Sequence, residues 1–203
     1  MYVILLGASI GQRWNLPDLP KRMNERRHAF EALQEWQYDK SRILDETLMR
    51  PARKFRFTPN YFRGLFMPPP QPADLIILKE CSSYFPSDMH RNKDLIQRWV
   101  REIRQKKIAV MLSTVVPVTR ERAQRDPGKQ EGISEFNDWV RTYAEEQGLP
   151  LLDLEWALRV DDKDCYLYDE FHSGDGSHLN RKAYTILDEL LVRSLVKVRD
   201  ARL

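Results

Sequence analysis

Asp175 and His178 stand three residues apart in the segment Phe171-His172-Ser173-Gly174-Asp175-Gly176-Ser177-His178-Leu179-Asn180. Gly176 between them permits a tight turn. Such a turn can bring the carboxylate to one imidazole nitrogen and leave the other able to take a proton. A carboxylate so placed fixes the tautomer and stabilises the imidazolium, as in hydrolase triads. Two other uses of the pair stay open at this point. Asp and His also ligate metals, but no second Cys or His cluster completes such a site, so no metal is expected. The segment also suits an Asx-turn and helix cap, with His178 solvated in a first helical turn.

A base of this kind needs a nucleophile, and the opening residues offer one. Met1-Tyr2-Val3-Ile4-Leu5-Leu6 is an apolar run of the type that forms a buried strand. It leads into Gly7-Ala8-Ser9-Ile10-Gly11, where small residues let the backbone turn sharply. Ser9 then falls at the carboxyl edge of a sheet, where open α/β sheets bind ligands. Taken alone, Ser9 reads equally as a turn or helix cap. The glycines make neither a P-loop nor a dinucleotide fingerprint, because Gly-Lys-Ser/Thr and Gly-x-Gly-x-x-Gly are both missing.

Elements that could position these residues alternate along the chain. Lys21 to Trp36 carries Met23, Phe30, Leu33 and Trp36 at helical spacing, and Gln37 to Ser41 is a weak second strand. Ile43, Leu44, Thr47 and Leu48 suggest a short helix ending before Pro51. Strands are expected at Asp74–Leu78, Ile108–Leu112 and Leu151–Leu154. Helices are expected at Leu95–Lys107, from Ile133 to near Gly148, and at Leu179–Val198, with a polar loop over Thr119–Gly132. Crossovers of this length suit parallel pairing. The expected fold is a single α/β domain over residues 1–203, a three-layer α/β/α sandwich around five parallel strands.

Composition narrows the classes. The chain has 203 residues, 42% of them hydrophobic, with a formal net charge of +3, so no strong field for nucleic acid follows. Ala52–Pro72 interleaves Arg53, Lys54, Arg56 and Arg63 with Phe55, Phe57, Tyr61, Phe62 and Phe66. That mix suits an active-site flap or a cover over a hydrophobic face; the near-balanced charge argues against a nucleic-acid partner. Cys81 and Cys165 form neither a disulfide framework nor a metal pattern. No apolar stretch reaches the roughly 18 residues that a membrane span requires. The start lacks a charged n-region with a cleavage site, which points to a chain without a signal peptide and to the cytoplasm. His28 and His90 read as surface residues, and His172 as a loop residue near the Asp175–His178 pair. Trp14 and Asn15 could line a pocket, Trp14 equally the core.

The strand followed by Gly7-Ala8-Ser9, together with Asp175-Gly176-Ser177-His178-Leu179-Asn180 before a last helix, resembles the SGNH (GDSL-type) hydrolase family. The order of elements between the two motifs agrees, so the resemblance covers nearly the whole chain. It implies a flavodoxin-like strand order, no cofactor, and ester hydrolysis or acyl transfer on a small-molecule, carbohydrate or lipid ester. Carried over by motif, Ser9 is the nucleophile, His178 the general base and Asp175 the orienting carboxylate.

The chain departs from the family pattern at the oxyanion hole. A Gly backbone N–H and an Asn side chain are expected there. Gly64 is the only glycine between Gly11 and Gly128, and Lys79-Glu80-Cys81-Ser82-Ser83 stands where Gly-x-Asn-Asp should follow the third strand. Cys81 falls nearest the Asn position, and a thiol is a weak donor. Lys79, Ser82 and Ser83 are the possible replacements, with Glu80 beside them at the ligand edge. Two further readings follow: a catalytically silent binding protein on the same scaffold, and a nucleotide- or phosphate-binding flavodoxin-like module prompted by Lys79 and the first glycines.

Overall fold

The computed structural model describes residues 1–24, 28–34, 40–49, 73–161 and 163–200. The opening apolar run forms β1 (Tyr2–Gly7), and Ser9 begins a short helix, α1 (Ser9–Arg13). A 3₁₀ turn at Leu16–Asp18 leads into α2 (Leu19–Arg22), then β2 (Ala29–Gln34) and α3 (Lys40–Leu48). After Ala73 come β3 (Leu75–Lys79), α4 (Met89–Gln105), β4 (Ala109–Ser113), α5 (Arg120–Arg125) and α6 (Lys129–Glu146). The chain continues with β5 (Leu151–Leu152), α7 (Leu154–Leu158) and α8 (Arg181–Asp200).

All pairings are parallel and the strand order is β2-β1-β3-β4-β5. This is the doubly wound order in which the chain reverses direction between β1 and β3. Alternate residues of each strand feed opposite cores. Val3, Leu5, Leu75, Ile77 and Met111 pack with Trp14, Leu16 and Leu19 and with α8 residues Leu187, Leu191 and Leu195. Ile4, Leu6, Ile76, Leu78 and Leu112 pack with Leu44 of α3, Trp99 and Ile103 of α4, and Phe136 and Val140 of α6. The continuous apolar runs of β1 and β3 follow from burial on both faces. The expected three-layer sandwich is therefore the observed fold.

Several expected elements differ. The helix expected over Lys21–Trp36 ends at Arg22, and Ala29–Gln34 is a strand. Its Ala, Glu, Leu and Gln favour helix in isolation. Pairing with β1 overrides that preference, setting Phe30 opposite Val3 and Leu33 opposite Leu6. Of the expected second strand at Gln37–Ser41, Lys40 and Ser41 begin α3 and the rest lies outside the described residues, as does Ala52–Pro72. The expected loop Thr119–Gly132 contains α5 and the first turn of α6. Thr119 caps α5 by accepting from the Arg122 N–H at 3.2 Å. The last helix begins at Arg181, since Leu179 instead bridges to His172. His28 is buried rather than on the surface, its ring set edge-on to Phe30 at 6.0 Å. His90 is exposed as expected, and Cys81 and Cys165 are both free thiols. No helix among the described residues is long and apolar enough to cross a membrane.

Candidate active site

β1 ends at Gly7, and Ser9 opens α1 at the point where the strand order reverses. A Cβ at Gly7 would press on the end of the Leu5 side chain, with Cδ2 at 2.9 Å, so glycine eases the close packing at the end of β1. The first turn of a helix leaves its leading N–H groups without intrahelical acceptors. The Ser9 N–H is one of these.

His178 reaches Ser9 across 169 residues of sequence, with Nε2 3.0 Å from Oγ. Its Nδ1 lies 2.5 Å from Asp175 Oδ2. The other carboxylate oxygen accepts the backbone N–H groups of Ser177 and His178 at 2.9 and 2.8 Å. Partial burial pushes the Asp175 carboxyl up. The N–H donors and the imidazole outweigh it and hold the group well below the usual carboxylate range. Asp175 is thus ionised at neutral pH and fixes the proton of His178 on Nδ1. Nε2 then carries the lone pair facing Ser9.

The loop carrying this pair is braced on three sides. His172 Nδ1 accepts the N–H groups of Gly174 and Gly176 at 2.9 and 3.3 Å, so His172 shapes the turn from behind. Asn180 Nδ2 donates to the carbonyls of Glu170 and His172. The Gly176 carbonyl accepts from the Thr119 N–H at 2.9 Å. Gly176 adopts φ +72°, and a Cβ there would stand 2.5 Å from Thr119 Oγ1 and 2.8 Å from Arg122 Cβ. Only glycine fits.

The serine side is anchored to α8. Tyr184 Oη donates to the Ile10 carbonyl at 3.1 Å. Trp14 Nε1 donates to Asp188 Oδ1 at 2.7 Å, and Arg22 grips both oxygens of the same buried carboxylate at 2.7 and 2.9 Å. Trp14 is therefore a core residue rather than a pocket wall. Asn15 is exposed and donates to Asp18. Asp188, Thr119 and Tyr184 escape a reading by motif, because their partners lie far away in sequence.

Ala8, Ser9, Ile10, Lys79, Cys81, Ser82, Ser83, Ser177 and His178 line one cavity of about 200 Å³ with Arg122 and Lys129. Lys79, Cys81 and Ser82 thus line the same cavity as Ser9. Glu80 does not. It is 1% exposed and turns to the opposite face, where its Oε2 meets Lys40 Nζ at 2.6 Å. Successive strand-end residues point to opposite faces, so Lys79 and Glu80 part company. Gly64 lies outside the described residues. The Cys81 Sγ lies 3.0 Å from Ser83 Oγ.

Lys79 is 2% exposed and donates to the Glu80 carbonyl at 2.9 Å. No carboxylate pairs with it among the described residues. Burial pushes its ammonium down to about 8, opposed by Cys81 and Glu80 and assisted by Lys40. Among the described residues no group of three His, Cys, Asp or Glu side chains could hold a metal. A larger cavity of about 630 Å³ opens at the amino-terminal ends of β4 and β5, near Arg104, Ile108 and Leu149. It is remote from Ser9.

A doubly wound α/β sandwich with Ser, His and Asp in hydrogen-bonded line at its reversal point has the architecture of an α/β/α hydrolase. The chain belongs to the GDSL-like lipase/acylhydrolase family, whose model matches residues 66–186, a span that contains Asp175 and His178 and leaves Ser9 outside. No curated protein matches it in sequence. Solved structures share its fold. A GDSL-like lipase from Bacteroides thetaiotaomicron is 16% identical with a TM-score of 0.65, covering 97% of this chain and 88% of that one. The lipase/acylhydrolase from Enterococcus faecalis is 20% identical with a TM-score of 0.69, covering 96% and 95%. An acetyl xylan esterase is 13% identical with a TM-score of 0.63, covering 96% and 99%.

Proposed function

We propose that the protein is a serine ester hydrolase that works through an acyl-enzyme on Ser9. The observation that carries this reading is the line from Ser9 Oγ to His178 Nε2 and from His178 Nδ1 to Asp175. His178 takes the hydroxyl proton as Ser9 Oγ attacks the ester carbonyl, and Asp175 stabilises the imidazolium that forms. The tetrahedral oxyanion is held by the Ser9 N–H and by Lys79, which replaces the amide donor found elsewhere in the family. His178 returns its proton to the leaving alcohol. Water, activated by the same nitrogen, then frees the acid and restores Ser9. An acceptor alcohol in place of water would make the reaction acyl transfer. Preference for a carbohydrate, lipid or other small-molecule ester is set by the cavity wall rather than by the three reacting residues.

The geometry argues against a plain nucleotide-binding module, which has no use for a serine–histidine–aspartate line. The replaced amide donor favours one rival, a silent binding protein on the same scaffold. Labelling with a fluorophosphonate separates the two. A single adduct on Ser9, lost in Ser9→Ala together with ester turnover, is the expected result. Turnover that survives Ser9→Ala in folded protein, with no adduct in the wild type, would sink the proposal.

A further inference from the structure

Three cations border the small cavity over Ser9: Lys79 after β3, Arg122 on α5 and Lys129 at the start of α6. Among the described residues no carboxylate lines it. Asp126 lies beside it, 2.9 Å from Lys129 Nζ and 3.5 Å from Arg122 Nη2. It is shared between two cations and leaves Lys79 unmatched. The Arg122 Nε is buried with no acceptor among the described residues. Lys129 is only 13% exposed, and Lys79 is buried. One carboxylate shared by Arg122, which is 39% exposed, and Lys129 leaves net positive charge beside the cavity, and an anion entering it is favoured. The cavity also offers the hydroxyls of Ser82, Ser83 and Ser177 as donors.

The placement of Arg122 relative to the reacting groups is fixed. Thr119 caps α5 through the Arg122 N–H and at the same time binds the Gly176 carbonyl, between Asp175 and His178. We propose that Arg122 and Lys129, beyond the Lys79 ammonium assigned to the oxyanion, form a subsite for an anionic oxyacid group, a carboxylate or phosphate, carried by the ester that Ser9 attacks. This rests on the reading of Ser9 as the nucleophile. The charge can sit on the acyl or on the alcohol part of the ester, and the two are separable by experiment.

Binding to the Ser9→Ala protein, which does not turn over, is measured by calorimetry with matched pairs. One pair is the monophenyl ester of glutarate against phenyl valerate, with the charge in the acyl part. The other is para-acetoxybenzoate against its methyl ester, with the charge in the alcohol part. Charge-assisted hydrogen bonds predict that one charged member binds about ten- to a hundredfold tighter than its neutral partner. The double variant Arg122→Gln/Lys129→Gln erases that ratio. Arg122→Lys with Lys129 intact retains much of it, which guards against a merely unfolded double variant. No preference for either charged member overturns the inference, whatever the wild type does with esters. Absence of a fluorophosphonate adduct on wild-type Ser9 strikes the hydrolase reading instead.

Discussion

Three side chains at the site differ in what their loss should do. Ser9→Ala is expected to lower kcat by about 10³-fold or more and to abolish fluorophosphonate labelling. Asp175→Asn leaves the shape of the loop but no longer sets the His178 tautomer, and a fall of about 10⁴-fold in kcat is expected in steady-state assays. Lys79→Met tests the proposed oxyanion donor: a loss of about 10²–10³-fold, falling on kcat more than on KM, is the expected outcome. Lys79→Arg, which keeps the charge, should recover part of it. Ser9, Asp175 and His178 were legible as residues because their types, order and flanking glycines are local features of the chain. The place of Glu80 is not readable in the sequence, because a sequence does not say which face of a strand end is the open one. Nothing in Thr119–Gly132 signals that Arg122 and Lys129 return to the cavity.

Among the elements, the 119–126 segment and the 172–180 loop hold each other. Gly176→Ala forces a Cβ into Thr119 Oγ1 and a non-glycine residue into φ +72°. Backbone strain of this kind costs about 1–3 kcal/mol, and thermal unfolding should read it as a lowered midpoint. Activity should fall further than that loss of stability alone explains, because the displaced turn carries His178. On the other side, α1 is tied to α8 through Asp188. Asp188→Ala strands the Trp14 indole N–H and the Arg22 guanidinium, with a cost of about 2 kcal/mol expected in urea titrations; Asp188→Asn should cost less. Helices with a clear apolar stripe, such as α4 and α6, were readable from spacing. β2 was not, because its residues favour helix on their own and become a strand only beside β1. α5 was hidden for a related reason: none of its residues is buried, so no apolar period marks it.

For the molecule as a whole, buried charge shapes stability as well as function. The Lys79 ammonium lies near 8 in the folded chain and 10.5 in an unfolded one. The unfolded chain therefore binds this proton more tightly between those values, and the Lys79 contribution to stability rises as pH climbs from about 8 to about 10.5. Tyr143 and Tyr184, both raised by burial, act in the opposite sense at high pH. The test is accordingly a difference: the stability of wild type relative to Lys79→Met should increase across this window. Cys81, Lys40 and Glu80 act on Lys79 electrostatically, and Arg122, Lys129 and His178 line the cavity it borders. A sheet order and a two-sided core were foreseeable from alternating strands and helices. The Lys40–Glu80 pair was not, since it joins α3 to the turn after β3 across 40 residues.

The 169-residue separation of Ser9 and His178 carries a consequence for biosynthesis. A ribosome releases β1 and its serine long before the histidine exists. Until the 172–180 loop has left the exit tunnel and docked against α5, the hydroxyl is an ordinary alcohol. α8 must follow before Asp188 and Tyr184 fasten α1 in place. On the proposed chemistry, every unfinished or prematurely released chain that stops short of that loop lacks the base for Ser9, even if its first strands have already paired. A stalled-ribosome series with increasing chain length should show fluorophosphonate reactivity appearing in one step, after α8 emerges, rather than growing gradually with the sheet.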